Sequence, residues 1–138
     1  AIERRARAAI QSQPERGRYL HNLQPDLSTL TVAHVGAAAR AGNSFARDIL
    51  EPSWDALAEA LCHVVALLCP RRIVIGGGVA LLGEDVLFDP LRERVKQRVF
   101  APFADCFDIV PAALGEEVVV HGALIWARQR LAEQPGRA

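Results

Sequence analysis

The chain has 138 residues, 51% hydrophobic and 23% charged, with 16 basic and 16 acidic side chains and so no formal net charge. That is the composition of one soluble domain with a modest core, and it excludes a partner held by bulk charge, whether nucleic acid or an anionic membrane surface. The longest strongly apolar stretch, Ala60 to Cys69, is interrupted by His63 and is far shorter than the roughly 20 residues a bilayer-spanning helix needs.

Cys62, Cys69 and Cys106 are odd in number and lack CxxC spacing, which argues against a disulfide framework or a zinc site and fits a reducing, cytoplasmic setting. The chain contains no Met and opens directly into a helical pattern, so it reads as a processed or excised piece.

Ala1 to about Gln13 is rich in Ala and Arg, with Ile2, Ala6, Ala9 and Ile10 along one face, which predicts a helix. Pro14 ends it, and Glu15 to Leu30, with Gly17, Pro25 and Asp26, reads as a loop. Thr31 stands where it can cap a short helix through Val32, Val35 and Ala39 that closes at Gly42. Asn43 or Ser44 can cap the next helix, which meets Pro52 after two turns; proline there predicts a kink or a restart capped by Ser53. From Trp54 onward, Leu57, Leu61, Val65 and Leu68 recur at helical spacing, joined by Ala58, Cys62 and Val64. So wide a stripe predicts a helix largely buried against a sheet, stopped by Pro70.

Arg72-Ile-Val-Ile75 is a short β-branched strand running straight into Gly76-Gly77-Gly78. Glu84 to Phe100 reads as a helix with Leu87, Leu91, Val95 and Val99 at every fourth residue. Phe107 to Val110 is a second strand, ended by Pro111. Glu116 to Glu133 reads as the last helix, with Val120, Leu124, Ala127 and Leu131 aligned. Val118 to Val120 suit a strand on propensity, but the period and the alanines that follow favour helix. Gln134 to Ala138 reads as a frayed tail. Residues 1–69 are thus expected to be mainly helical and 70–133 to form a βαβα unit, whose right-handed crossover makes the two strands parallel neighbours. Two strands cannot cover helices this apolar, since sheets usually hold about four to six, so the sheet is expected to be incomplete.

A glycine run directly after a buried strand lets the backbone approach a flat or charged ligand closely. The C-terminal edge of a parallel sheet is where ligands of open α/β folds sit. The run matches neither GxGxxG nor GxxxxGK[ST], and by itself it also suits a tight turn with no ligand. Its context is more specific. Pro70-Arg-Arg-Ile-Val-Ile-Gly-Gly-Gly-Val79, Gly83 and Asp89-Pro-Leu-Arg-Glu-Arg-Val95 resemble the ROK family of sugar kinases and repressors. The resemblance continues through Ile109-Val-Pro-Ala-Ala-Leu-Gly115, Gly122-Ala123 and the opening Ala1-Ile-Glu-Arg-Arg-Ala6.

That resemblance implies an α/β fold, part of an actin-like ATPase (RNase-H-like) lobe, with the chain as the C-terminal portion of the second lobe. It implies that Gly76, Gly77, Gly78 and Val79 form a wall against the adenine and ribose of ATP or ADP. The implied reaction is transfer of the γ-phosphoryl group to a hexose hydroxyl, as in a glucokinase-like enzyme. The aspartate base, both phosphate motifs, the sugar contacts, the magnesium ligands and the family's His/Cys zinc site would all lie in segments preceding Ala1. The chain would then hold no catalytic residue and be inactive alone. Its implied partners are the nucleotide, a hexose bound through the missing lobe, the missing N-terminal portion and further copies in a homo-oligomer. The alternative is the sugar-sensing domain of a ROK-type transcriptional repressor, the one case with a nucleic-acid partner; the intact glycine run favours the kinase. The chain departs from the family where bulky Val118 to Val120 follow the acidic pair Glu116-Glu117, which weighs against a nucleotide contact from that helix start.

Outside the resemblance, Glu116 and Glu117 suit the positive end of a helix dipole and read as structural. His63 reads as a core or edge histidine, and His21, His34 and His121 show no metal-ligand spacing. Arg92, Arg94, Lys96 and Arg98, interleaved with Glu93, read as a solvated helix face, and Trp54 and Trp126 as packing residues. Ser12, Ser28, Ser44 and Ser53 lack a Gly-x-Ser-x-Gly elbow.

Overall fold

The computed structural model describes residues 1–133, and the expected tail from Gln134 onward lies outside the described residues. In chain order the helices and strands are α1 (Ile2–Ser12), α2 (Pro14–Leu23), α3 (Val32–Arg40), α4 (Ser44–Leu68), β1 (Arg72–Ile75), α5 (Asp89–Arg98), β2 (Asp108–Pro111) and α6 (Val118–Ala132). A single π turn, Glu84–Phe88, leads into α5.

Local chemistry explains most of the boundaries. The Asn43 side chain accepts the Ala46 N–H at 2.9 Å to open α4, and Gly42 ends the α3 turn at φ +84°. At the α3 start the Thr31 N–H donates to His34 Nδ1 at 3.1 Å, so this histidine serves as a cap partner. Cys69 takes a left-handed conformation at the end of α4, just before Pro70.

Two expectations for the helical half fail. Residues 15–30 are not one loop: Pro14 opens α2 at its first turn, where a missing N–H costs nothing and the fixed φ suits a helix. Leu20, on that helix, is fully buried. Pro52 neither ends nor restarts α4, which runs unbroken through it. A mid-helix proline leaves the carbonyl four residues back, here that of Asp48, without its helical donor, and α1 reaches the same stretch of α4 through one side chain. Arg5 Nη1 donates to the Ile49 carbonyl at 2.9 Å and to Ser53 Oγ at 3.0 Å. Ser53 is therefore a partner of α1 rather than a cap.

The core gathers Ala6 and Ile10 of α1, Val35 and Ala38 of α3, Leu50, Trp54, Leu61 and Val65 of α4, Val86 and Phe88 of the π turn, and Leu91 and Val95 of α5. Trp54 is a packing residue, as expected, and its Nε1–H donates to the Val86 carbonyl at 2.9 Å. The second half of α4 was expected against a sheet. Instead α4 packs chiefly on α5, α3 and α1, and Leu67 and Leu68 at its end are 81% and 73% exposed. The sheet is too narrow to reach them.

That sheet is the expected parallel pair. Ile73 stands opposite Ile109 and Ile75 opposite Pro111, with α5 in the crossover. At the strands' starts, Arg72 opposes Asp108 and grips both carboxylate oxygens, Nε at 2.9 and 3.0 Å and Nη2 at 2.6 Å. This hydrogen bonding holds the Asp108 carboxyl below the usual carboxylate range. Ile109 is buried and Ile73 and Ile75 pack on the core, whereas Val74 on the other face is 59% exposed.

The last helix starts after a 3-10 turn at Gly115–Glu117 and is helical across Val118 to Val120, as its period required. It buries none of its residues. Trp126 is accordingly not a packing residue: it is 62% exposed, with the Arg130 guanidinium 5.2 Å from its ring centre.

Arg5 thus carries a test of the fold. Arg5→Ala is expected to lower unfolding free energy by about 1–2 kcal/mol, the range for partly buried hydrogen bonds from a charged donor. Urea denaturation measures this, and a midpoint equal to wild type would mean that the Arg5 bonds to Ile49 and Ser53 add nothing to the fold.

Candidate functional site

Because β1 and β2 run in parallel, both chains leave the sheet at the same edge. The Ala112 N–H donates to the Ile75 carbonyl at 2.9 Å, prolonging the ladder past the strands. Two loops therefore begin side by side, Gly76–Val79 after β1 and Ala112–Gly115 after β2. A Cβ on Gly76 would sit 3.2 Å from the Ala112 Cβ, tighter than ordinary van der Waals contact.

Gly77 has φ +82°, a conformation that glycine adopts freely and L side chains rarely do. The Gly77 carbonyl accepts the Ala80 N–H at 3.0 Å, which turns the chain into a short 3-10 segment, Ala80–Leu82. Above Gly77 and Gly78 the space is open: an added Cβ would meet nothing within 4 Å.

The chemistry of this edge is uniform. Neither loop carries a titratable side chain. The nearby exposed groups are mostly apolar, with Val79, Leu81, Leu114 and Val118 all between 39% and 60% exposed, and the exposed Glu117 carboxylate stands at the margin next to Val118. The Arg72–Asp108 pair lies at the opposite end of the strands. An open, uncharged surface made of backbone and aliphatic side chains suits a flat, weakly charged group such as a base or a sugar ring. It does not suit a phosphate, which calls for cations or converging N–H groups. The structure thus brings the glycine run together with Ala112–Gly115. That second loop lies in the segment Ile109–Gly115 that shares the family resemblance, and the strand pairing is what brings it to this edge.

The remaining candidates fall away from this edge. His63 is exposed rather than buried in the core, and lines a cleft of about 540 Å3 with Glu59, Cys62, Ala66, Arg98, Val99, Phe100 and Phe103. Burial raises the Cys62 thiol pKa there, which makes it a poor nucleophile. The arginines of α5 form a lattice of ion pairs more than a solvated face. Arg94 pairs with Glu51 and Asp55 and stacks on Trp54 at 4.9 Å. Arg98 pairs with Asp55 at 2.5 Å. Arg92 pairs with Glu84 and Asp89 and donates to the Ile109 carbonyl at 2.9 Å. Cations so engaged are not available to a phosphate. Glu117 lies 3.7 Å from His121 one turn on, while the Glu116 side chain lies outside what is described. Among the described residues no three His, Cys, Asp or Glu side chains converge as metal ligands, and no helix is long and apolar enough to cross a membrane.

Comparison with known proteins points one way. The sequence profile of the ROK family matches residues 1–130. A glucokinase of Thermotoga maritima is 35% identical over 98 residues, covering 71% of this chain and 31% of that protein. A glucokinase of Streptomyces coelicolor is 29% identical over 133 residues, covering 94% of this chain and 41% of that protein. The crystal structure of a ROK family glucokinase from Streptomyces griseus in complex with glucose and AMPPNP matches with a TM-score of 0.80 at 27% identity, covering 94% of this chain and 42% of that one. The chain therefore spans 31–42% of the length of these relatives. The fold is the helix-rich α/β arrangement with a small parallel sheet expected of part of an actin-like ATPase lobe.

The three glycines are separable by stability. Gly77→Ala is expected to destabilise by about 1–2 kcal/mol, the cost of a left-handed conformation for an L residue. Gly78→Ala, with open space and no positive φ, is expected to change stability by less than about 0.5 kcal/mol. Thermal melts of the two variants compare them, and equal losses would contradict the turn described here.

Proposed function

The chain belongs to the ROK family, and from that premise we propose that it is the nucleotide-side, C-terminal portion of an ATP-dependent hexose kinase of glucokinase type. In this reading residues 70–133 form the nucleotide-side unit and residues 1–69 the helical support behind it. Gly76, Gly77, Gly78 and Val79 form the wall against which the adenine and ribose rest, facing Ala112–Gly115 across the edge. The observation that carries the reading is the open, uncharged, backbone-lined edge at the C-terminal ends of β1 and β2. It has the chemistry for the adenosine end of a nucleotide and lacks the chemistry for its phosphates.

The chain's share of the reaction is then positional. Kinases act on a loose phosphoryl group mainly by holding donor and acceptor in line and neutralising charge. A rigid contact to adenosine fixes one end of that line. The base that takes the hexose proton, the magnesium ligands and the sugar contacts are assigned to other segments, because neither loop at this edge offers a titratable side chain. The named relatives are glucokinases, which supports the kinase over a sugar-sensing repressor. The Streptomyces griseus glucokinase is in complex with glucose, and hexoses of that type are the proposed acceptors here.

Gly78 gives the cleaner test, because a branched side chain there meets no protein atom near its Cβ and no backbone strain. In the kinase containing this chain, Gly78→Val is expected to raise the ATP KM about tenfold or more while the hexose KM changes less than about twofold. Such a split marks lost nucleotide binding rather than lost fold. Steady-state kinetics with each substrate varied would show it. Equal changes in both KM values, or none in either, would count against a nucleotide wall at this run.

A further inference from the structure

The glycine run does not stand free. Four residues beyond it, Leu82 turns inward and is only 4% exposed. It lies in a notch on α3 that exists because Gly36 has no side chain: a Cβ there would fall 2.3 Å from Leu82 Cδ2. One helical turn further along α3, Arg40 Nη2 donates to the Leu82 carbonyl at 2.8 Å, and Arg40 Nε lies 3.4 Å from Asp85 Oδ2. Leu82 is thus gripped twice, by its side chain and by its backbone. Between this grip and β1, the loop closes on itself through Ala80 N–H to Gly77 O at 3.0 Å, Leu82 N–H to Val79 O at 3.1 Å and Gly83 N–H to Ala80 O at 3.1 Å.

The helix that does the gripping is itself fixed. Val35 and Ala38 are fully buried, and the Val32 N–H at its start reaches Glu3 Oε1 of α1 at 3.4 Å. Glycine inside a helix costs roughly 0.5–1 kcal/mol relative to alanine, so Gly36 needs a reason, and the Leu82 notch is one.

We propose that Arg40 and Gly36 on α3 are positioning residues for the nucleotide: they clamp Leu82 and so hold the Gly76–Val79 wall in one conformation before the nucleotide arrives. This rests on the nucleotide reading of the glycine run. A glycine-rich segment is otherwise free to sample many conformations, and every conformation lost on binding weakens the complex. Neither residue touches the glycine run itself. Their effect is carried by the hydrogen-bonded turn from Gly77 to Gly83, and it acts on nucleotide affinity rather than on the chemical step.

Two measurements test the clamp separately from the wall. Amide hydrogen exchange of the 138-residue chain reads the loop directly. Arg40→Ala and Gly36→Ala are each expected to speed exchange across residues 77–83 while the amides of α5 keep their wild-type rates. Arg40→Lys, which keeps one cationic donor, is expected to fall between. In the kinase containing the chain, Arg40→Ala is expected to raise the ATP KM about three- to tenfold, the size of one partly exposed charge-assisted hydrogen bond, with kcat and hexose KM unchanged. Unaltered loop exchange in both alanine variants would overturn the clamp. Faster exchange with an unaltered ATP KM, where Gly78→Val does raise it, would leave the wall standing and overturn the positioning role. An ATP KM insensitive to Gly78→Val as well would show that the glycine-run reading itself has failed, and the inference with it.

Discussion

Parallel pairing of two strands forces both chains to leave the sheet in the same direction, and the candidate site exists because of that constraint. An antiparallel pair would send the glycine run and the Ala112–Gly115 loop to opposite ends. Here the Arg72–Asp108 pair lies where the strands begin, and the Ala112 N–H to Ile75 carbonyl bond extends the ladder where they end. Charge is thereby concentrated at one end of the strands and bare backbone at the other. The crossover that parallel pairing requires is supplied by α5, which is buried against α4 through Leu91 and Val95. The same helix returns Arg92 to the Ile109 carbonyl. Core, crossover and site edge are consequently one mechanical unit.

The apolar surface left over is as informative as the surface buried. Val74 on the outer face of β1, Leu67 and Leu68 at the end of α4, and Val119, Leu124, Ile125 and Trp126 on α6 are all more than half exposed. Large apolar side chains exposed in such numbers suit a surface that is covered by further protein. The same shortfall follows from counting strands: two are present among the described residues, where sheets usually hold about four to six. The matched part of this chain spans 31–42% of the length of its relatives.

Local signals were legible in the sequence, and long-range ones were not. Asn43, Gly42 and Pro70 mark helix ends by chemistry that acts within a few residues, and the structure uses each of them. The four-residue period of Leu87, Leu91 and Val95 and the β-branched run Ile73–Ile75 read directly as a buried helix face and a strand. Pro52 misled because the burial of α4 on both sides of it, through Ile49, Leu50, Trp54 and Ala58, outweighs a local signal to restart. His63 and Trp126 misled because an apolar neighbourhood in sequence does not ensure a partner in space; both are exposed. Of the candidate site, the glycine run stands out in sequence. That the Ala112–Gly115 loop faces the run, and that α3 grips Leu82, emerge only from strand pairing and from a contact across 42 residues. A glycine within an otherwise good helix, Gly36, was the one local sign of that grip.

The central claim is that the open edge after β1 receives the adenosine end of a nucleotide. A crystal structure of the kinase containing this chain, with AMPPNP bound, measures it most directly. The account expects the adenine or ribose within about 4 Å of the backbone at Gly76 to Val79, ordinary van der Waals contact, with the phosphates leading away from both loops. Adenosine bound elsewhere, as in the cleft between Glu59, His63 and Phe103, with the glycine run untouched, would contradict it.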